Sequence, residues 1–460
     1  MFHKDSKVTK SVLAKNHFAE FFSGISRFHP ARLVFAGYLW YVIAGWLLLC
    51  LPFVQKGQGV KCLDNLFIAT SAVSTTGLAT VSIADCYNLS GQIIILFLIQ
   101  LGGIGYMTLG SFMVLSRKTE ISPFRLEIGR TVFSLPESFR IDKFVKSVIR
   151  FTLVTELVGA LALYFIFRNG GVSNPIWSAI FHSVSSFCTA GFGLYNNSFE
   201  SFANDFWLNL VISLLSYLGA IGFIVYVDLW RMLRGKVATI TMTSKIILWM
   251  TFWMTVAGTT LLFFNEPSIQ SKPADQRFMA AFFQCMTAMT TVGFNSIPIG
   301  SLSKASVLLM IVLMVIGASP SGTGGGIKST SFSALLGVMK STFRGQKEVY
   351  FWNKVIPAER VLMAVASVSF YLCLLIVGTY FLELTENTPF ECNAFEAASA
   401  IGTVGLSMGI TAGLSIMGKL IITALMFFGR VGPLALGTTL FFRLSSHTEK
   451  PITEKEDLAI

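Results

Sequence analysis

Four short stretches of this 460-residue chain share a Thr-x-Gly pattern in which the backbone, not a side chain, is the group able to do chemistry. They read CLDNLFIATSAVSTTGLAT from Cys62, NPIWSAIFHSVSSFCTAGFGL from Asn174, DQRFMAAFFQCMTAMTTVGFNS from Asp275 and TPFECNAFEAASAIGTVGLSM from Thr388. Anchored on Gly77, Gly191, Gly293 and Gly405, the residue ten before is always Phe (Phe67, Phe181, Phe283, Phe395). Six before stands a hydroxyl (Ser71, Ser185, Thr287, Ser399), two before a threonine (Thr75, Thr189, Thr291, Thr403), and Leu or Phe follows each glycine. Agreement at fixed offsets in segments 102–114 residues apart defines an internal repeat. Glycine permits positive φ and a close backbone approach. Four such loops around one axis would turn their carbonyls inward and replace the hydration shell of a dehydrated cation. Short helices ending at that axis would aim their partially negative C-termini at it, which selects cation over anion. The candidate ligands are therefore the backbone of Thr75, Thr76, Gly77, Thr189, Ala190, Gly191, Thr291, Val292, Gly293, Thr403, Val404 and Gly405.

The elements that must hold these loops are apolar. With 53% hydrophobic and 13% charged residues and a mean hydropathy of +0.67, the chain is excluded from the ordinary soluble domains. Runs long enough to cross roughly 30 Å of hydrocarbon lie near 31–54, 92–115, 147–167, 206–230, 244–264, 304–317, 360–382 and 418–442. Each successive pair brackets one Thr-x-Gly stretch, 62–85, 175–200, 275–299 or 389–412, too short and polar to span. Irregular backbone at membrane depth is tolerated only where protein buries it or a cavity wets it. The expected fold is an all-α polytopic membrane protein of four helix, re-entrant pore-loop, helix repeats, eight transmembrane helices around a central pore. The second helices carry glycine pairs, Gly102/Gly105, Gly219/Gly222 and Gly429/Gly432, and the third repeat departs from this.

Net charge +11 is arranged by side. Of 35 Lys and Arg residues, 27 fall on the face holding the termini and the long connections, and seven on the face of the short stretches. The basic face is expected in the cytoplasm with both termini. The first 33 residues carry Lys4, Lys7, Lys10, Lys15, Arg27 and Arg32 and no continuous apolar core, which reads as a cytosolic lead-in and not a cleavable signal. Acids on the opposite face, among them Asp64, Asp85, Glu383, Glu386, Glu391 and Glu396, read as a solvated rim or a mildly cation-attracting vestibule. The seven cysteines show no metal spacing, although Cys62 and Cys86 bracket one loop and could pair on an oxidising side. The five histidines form no cluster, and no HExxH or nucleophile elbow occurs, so a soluble-type active site is unsupported.

Where repeats one, two and four continue a helix, the third gives GASPSGTGGGIKST, residues 317–330. Gly317, Gly322, Gly324, Gly325 and Gly326 with Pro320 would break any helix. A phosphate-binding loop is excluded, because Ile327 stands where the glycine before the lysine is needed and no strand precedes. The segment reads as an unwound stretch within a spanning helix, either a movable plug or a static break. Arg430, in MFFGRVGPLALG, is an intramembrane cation expected to face a polar interior, where it either pairs structurally with carbonyls or an acid or acts on the ion, and Glu156 is the one acid well inside another span. Pairing or a helix contact, in preference to transport, is the reading for Glu156.

Over about residues 30–445 the chain resembles the superfamily of potassium transporters containing the Trk, Ktr and plant HKT proteins, on its four T-x-G-[FL] elements. The start is too short for an extra helix pair, which makes the nearest resemblance the Ktr membrane subunit, KtrB. The resemblance implies a potassium-channel-like pore within one chain, K+ at the filter carbonyls, and potassium selectivity from glycine at all four positions. It implies that 317–326 gates the pore and that Arg430, near the gating loop, is an electrostatic barrier. It also implies a homodimer on a cytosolic ring of KtrA-like nucleotide-binding subunits, with sodium as an activating ion, no covalent cofactor, no enzyme activity and no nucleic acid. The layout expected is a cytosolic segment 1–30, repeats 31–116, 147–230, 244–342 and 360–444, cytosolic linkers 117–146, 231–243 and 343–359, and a tail 445–460. The location implied is the plasma (inner) membrane. Alternatives are a channel-like subunit of an ATP-driven potassium pump and a sodium-permeable HKT-like transporter.

Overall fold

A computed structural model describes residues 30–57, 59–105, 141–235, 237–320, 322–346, 348–352 and 354–432. The N-terminal lead-in, most of the linker 117–146 and the tail 445–460 lie outside the described residues, as does the end of the last apolar run. In chain order the helices are α1 (Pro30–Leu49), α2 (Cys62–Val73), α3 (Leu89–Ile104), α4 (Ile141–Asn169), α5 (Pro175–Phe187), α6 (Phe206–Ala220) and α7 (Phe223–Leu233). They continue as α8 (Met242–Asn265), α9 (Ala274–Thr290), α10 (Lys304–Val315), α11 (Ser329–Phe343), α12 (Ala358–Thr385), α13 (Phe390–Gly402) and α14 (Ile416–Val431). A hairpin of β1 (Tyr350–Phe351) and β2 (Lys354–Val355), with Tyr350 opposite Val355, leads from α11 to α12.

Local chemistry starts the helices where the chain must turn. The side chains of Asn88, Asp205, Ser303 and Ser415 accept from the N–H groups of Gly91, Leu208, Ser306 and Gly418, capping α3, α6, α10 and α14. Asn174 caps α5 with Pro175 at its first position. The short helices α2, α5, α9 and α13 are buried with their hydroxyls inside, while long helices expose apolar stripes. Leu153, Leu157, Leu161 and Phe165 of α4 are all exposed. Polar groups within and apolar groups without suit a lipid surrounding.

Among the described residues three helical segments, Lys146–Asn169, Met242–Asn265 and Ala358–Thr385, are long and apolar enough to cross a membrane, and the α6–α7 pair makes a fourth if counted as one span. These four account for the expected runs 147–167, 206–230, 244–264 and 360–382, while the described residues take in only the first parts of 92–115 and 418–442. Within the described residues α3 is capped at Gly105 (φ +80) and α14 at Gly432 (φ +80). The run 206–230 bends by 95° at Gly222 (φ +96), where a Cβ would meet the Pro320 carbonyl at 2.5 Å. Helix α10 ends after 12 residues. The second glycine of each pair thus interrupts helical geometry in repeats one, two and four, and in repeat two the chain resumes as α7 beyond it.

The packing order is cyclic. Each short helix touches the last helix of the preceding set: α3 packs on α5, α6 on α9, α10 on α13, and α14 returns to α2.

Candidate functional site

All four Thr-x-Gly turns adopt one conformation. Thr75, Thr189, Thr291 and Thr403 have φ of +53°, +51°, +59° and +50°, a region in which a β-branched residue is a genuine outlier. The N–H of the next residue in each turn donates to the carbonyl five residues earlier: Thr76 to Ser71 (2.8 Å), Ala190 to Ser185 (2.8 Å), Val292 to Thr287 (3.1 Å) and Val404 to Ser399 (2.8 Å). This is the wrap that normally ends a helix with glycine, here made with threonine. The four phenylalanines ten residues before the glycines are fully buried. In repeats one and four the hydroxyls of Ser71 and Ser399 also accept from the N–H groups of Gly77 (3.1 Å) and Gly405 (3.0 Å).

The turns meet in a closed ring. A Cβ on Gly77 would run into the Ala190 carbonyl and lie 3.0 Å from the Gly191 Cα. One on Gly191 would meet the Val292 carbonyl and the Gly293 Cα (3.2 Å); one on Gly293, the Val404 carbonyl and the Gly405 Cα (3.0 Å). One on Gly405 closes the circle against the Thr76 carbonyl and the Gly77 Cα (3.1 Å). Any side chain here collides with a neighbour's backbone, and φ is positive at all four glycines. Among the described residues, no hydrogen bond is donated to the backbone carbonyls of 75–77, 189–191, 291–293 or 403–405. Buried carbonyls are ordinarily paired. A ring of free ones is a set of oxygen ligands for a weakly hydrated cation.

The glycine-rich segment 317–328 docks on the C-terminal ends of the short helices. The break after α6 frees the carbonyls of Gly219 and Ala220, which accept from the N–H groups of Thr323 (3.0 Å) and Ser319 (3.1 Å). The Thr323 hydroxyl donates to the Phe187 carbonyl (3.0 Å) and accepts from that of Thr189 (3.1 Å). The Gly325 N–H donates to the Thr291 hydroxyl (3.2 Å). A Cβ on Gly325 would strike the Thr403 hydroxyl, one on Gly324 that of Thr291, one on Gly322 the Ala220 carbonyl, and one on Gly317 the Gly325 carbonyl. Gly326 has φ +70. The glycines therefore let the segment lie flush against three of the four ring threonines.

Arg430 is half-buried and donates to two carbonyls, Thr323 of the segment and Gly102 of α3. Sequence reasoning missed Thr323, a hydroxyl within a glycine run, and counted Lys328 with the solvated basic face. The Lys328 ammonium instead donates to the Gly324 carbonyl at 2.7 Å. Glu156 is buried and paired: it accepts from the Gln100 amide (3.1 Å) and the Cys188 thiol (3.7 Å).

The named acids of the opposite face each have a partner, and Asp85 and Glu383 are exposed as a rim would be. Asp64 pairs with Lys419 (2.6 Å) and Glu391 with Lys304 (3.1 Å). Asp85 accepts from Asn196 (2.8 Å), Glu383 from Asn393 (2.7 Å), Glu386 from Ser415 (2.6 Å) and Glu396 from Thr411. Hydrogen bonds from Asn196 and Ser82 hold the exposed Asp85 carboxyl below its usual range. Cys62 and Cys86 are unpaired, and the Cys62 sulfur lies 3.9 Å from that of Cys50.

A closed ring of free carbonyls among helices with apolar outer faces defines a membrane protein built to handle cations. The family model for the cation transport protein TrkH matches residues 40–447, and the chain belongs to that family. It is 35% identical to the potassium/sodium uptake protein NtpJ of Enterococcus hirae, over 88% of this chain and 91% of that one. It is 33% identical to the Ktr system potassium uptake protein B of Vibrio alginolyticus, over 89% and 90% of the two chains. The crystal structure of the potassium transporter TrkH from Vibrio parahaemolyticus superimposes with a TM-score of 0.71 at 20% identity, covering 89% of this chain and 84% of that one. The protein is thus a multi-pass membrane protein of a transporter family, not an enzyme.

Proposed function

We propose that the chain is the ion-translocating subunit of a Ktr-type potassium uptake system, and that the four Thr-x-Gly turns form one selectivity filter. The observation that carries this reading is the ring in which each glycine abuts the next turn's backbone while the carbonyls stay free. The names of the Vibrio and Enterococcus relatives support potassium as the ion. The architecture is four helix, pore-loop, helix repeats, 31–116, 147–230, 244–342 and 360–444, with eight membrane crossings, several by broken helices. Segment 317–326 is the gate on the cytosolic side of the filter, and Arg430 is a fixed positive barrier that also holds the gate. The termini and the linkers 117–146, 231–243 and 343–359 face the cytoplasm across the plasma membrane. The active unit is a homodimer on a KtrA-like nucleotide-binding ring, with sodium as an activating ion.

The test is potassium uptake against external potassium in cells lacking their own systems, comparing wild type with Gly77→Ser and Gly293→Ser, with and without sodium. At matched surface amounts, the half-saturating potassium concentration is expected to rise about tenfold, or discrimination against sodium to fall by as much, equivalent to about 1.4 kcal/mol. Transport like wild type in both variants contradicts the filter. The potassium/sodium name of the Enterococcus relative favours a second reading, sodium as a co-transported ion. Sodium uptake by the wild type in the same assay decides it.

A further inference from the structure

The residue nine before each ring glycine is Ile68, His182, Gln284 or Glu396, and all four are buried. In three repeats this side chain reaches across to the stretch that leaves the ring. The His182 Nδ1 lies 2.8 Å from the Ser178 carbonyl, so Nδ1 carries the proton, and Nε2 accepts from the Leu194 N–H at 3.2 Å. The Gln284 amide donates to the Ser296 hydroxyl at 3.4 Å. Glu396 accepts from the Thr411 hydroxyl, which accepts in turn from that of Ser407 at 2.9 Å. Leu194 and Ser296 each follow their glycine by three residues, and Ser407 follows Gly405 by two. Three different polar groups therefore tie down the stretch that leaves the ring, His182 and Gln284 three residues past the glycine and Glu396 through Thr411, six past it. Ile68 makes none, and the stretch after Gly77 is tied sideways through Ser82 and Asp85 to Asn196.

We propose that this column is a set of positioning residues: His182, Gln284 and Glu396 brace three quarters of the ring from behind and set the aperture that separates potassium from sodium, while the quarter at Ile68 is left compliant. The inference rests on the filter reading above. A carbonyl ring discriminates between cations only as well as its oxygens hold their spacing, and the brace fixes the exit of three turns, whose entries are anchored by the buried Phe ten before each glycine. Tyr195 supports the assignment, because its ring stacks on His182 at 4.9 Å and 9° and holds the imidazole against the turn.

The experiment is the ratio of potassium to sodium transport in proteoliposomes or in cells, normalised to protein in the membrane. Glu396→Leu and His182→Leu remove the tie; Glu396→Gln and His182→Gln keep an acceptor in reach; Ile68→Val is the control. Each Leu variant is expected to lower the ratio about 3- to 10-fold, the worth of one hydrogen bond. The Gln variants should remain near wild type, a rescue that a merely structural loss would not show. If the Leu variants do not reach the membrane, Gln284→Met, close in size, decides by the same ratio. An unchanged ratio in the correctly inserted variants overturns the proposal. Gly293→Ser run alongside separates the two claims: if it shifts the ratio and the brace variants do not, only the brace falls, and if none shifts it, the filter reading falls as well.

Discussion

Four threonines held at positive φ store about 1–3 kcal/mol of strain each, and among the described residues β-branched side chains take this conformation only at the approach to the ring. Glycine there would relax the backbone, but it would also remove the hydroxyls of Thr189 and Thr291, on which the 317–328 segment is fastened. The pattern of residues was legible in the sequence because four equal offsets survive in four diverged copies. What they touch was not. Arg430 was visible as a costly charge, yet its partners, 107 and 328 residues away, are backbone carbonyls and leave no mark on residue type. Its removal frees the segment from one of its fastenings and takes a positive charge from the ion's path. Arg430→Gln is therefore expected to raise the maximal potassium uptake rate per protein at the surface, and an unchanged rate would count against the barrier. The variant should also melt lower, by about 1–3 kcal/mol for each carbonyl left without a donor in a buried place.

At the scale of elements, hydropathy located the apolar runs but could not tell one helix from two. Gly105, Gly222 and Gly432 all look like helix-tolerated glycines within apolar sequence, and each turns to positive φ. The reason for the first glycine of each pair is also tertiary. A Cβ on Gly102, Gly219 or Gly429 would strike the carbonyl of Val73, Phe187 or Ile401, at the end of a short helix. The third repeat lacks the pair, and its glycine-rich segment covers the corresponding space. Because that segment caps the broken end of α6 and touches the ring threonines, shortening it has two separable effects. Deletion of 322–326 is expected to raise flux and to lower thermal stability, since the carbonyls of Gly219 and Ala220 lose their donors. Normal insertion with unchanged flux would make the segment a static break.

Across the whole molecule, each seam between successive short-helix sets carries an acid. Asp85 meets Asn196, Glu200 meets Asn295 (2.7 Å), Glu391 meets Lys304, and Asp64 meets Lys419. Charge alone showed these acids as a rim; the closed order of the sets shows that they also clasp neighbouring sets. The Asp64–Lys419 pair is the most enclosed, with side chains 7% and 15% exposed. Lys419→Met leaves a carboxylate unpaired and should cost about 3–5 kcal/mol, read as a fall in melting temperature that Asp64→Asn in the same chain largely reverses. Orientation follows from the basic face, and tags placed in 230–240 or 344–350 are expected to be accessible only from the cytoplasm. The most direct test of the central claim is anomalous diffraction from crystals grown in rubidium, an ion that stands in for potassium. Density on the axis enclosed by 75–77, 189–191, 291–293 and 403–405 is the expected result; rubidium bound elsewhere in the molecule, with that axis empty, would contradict the account.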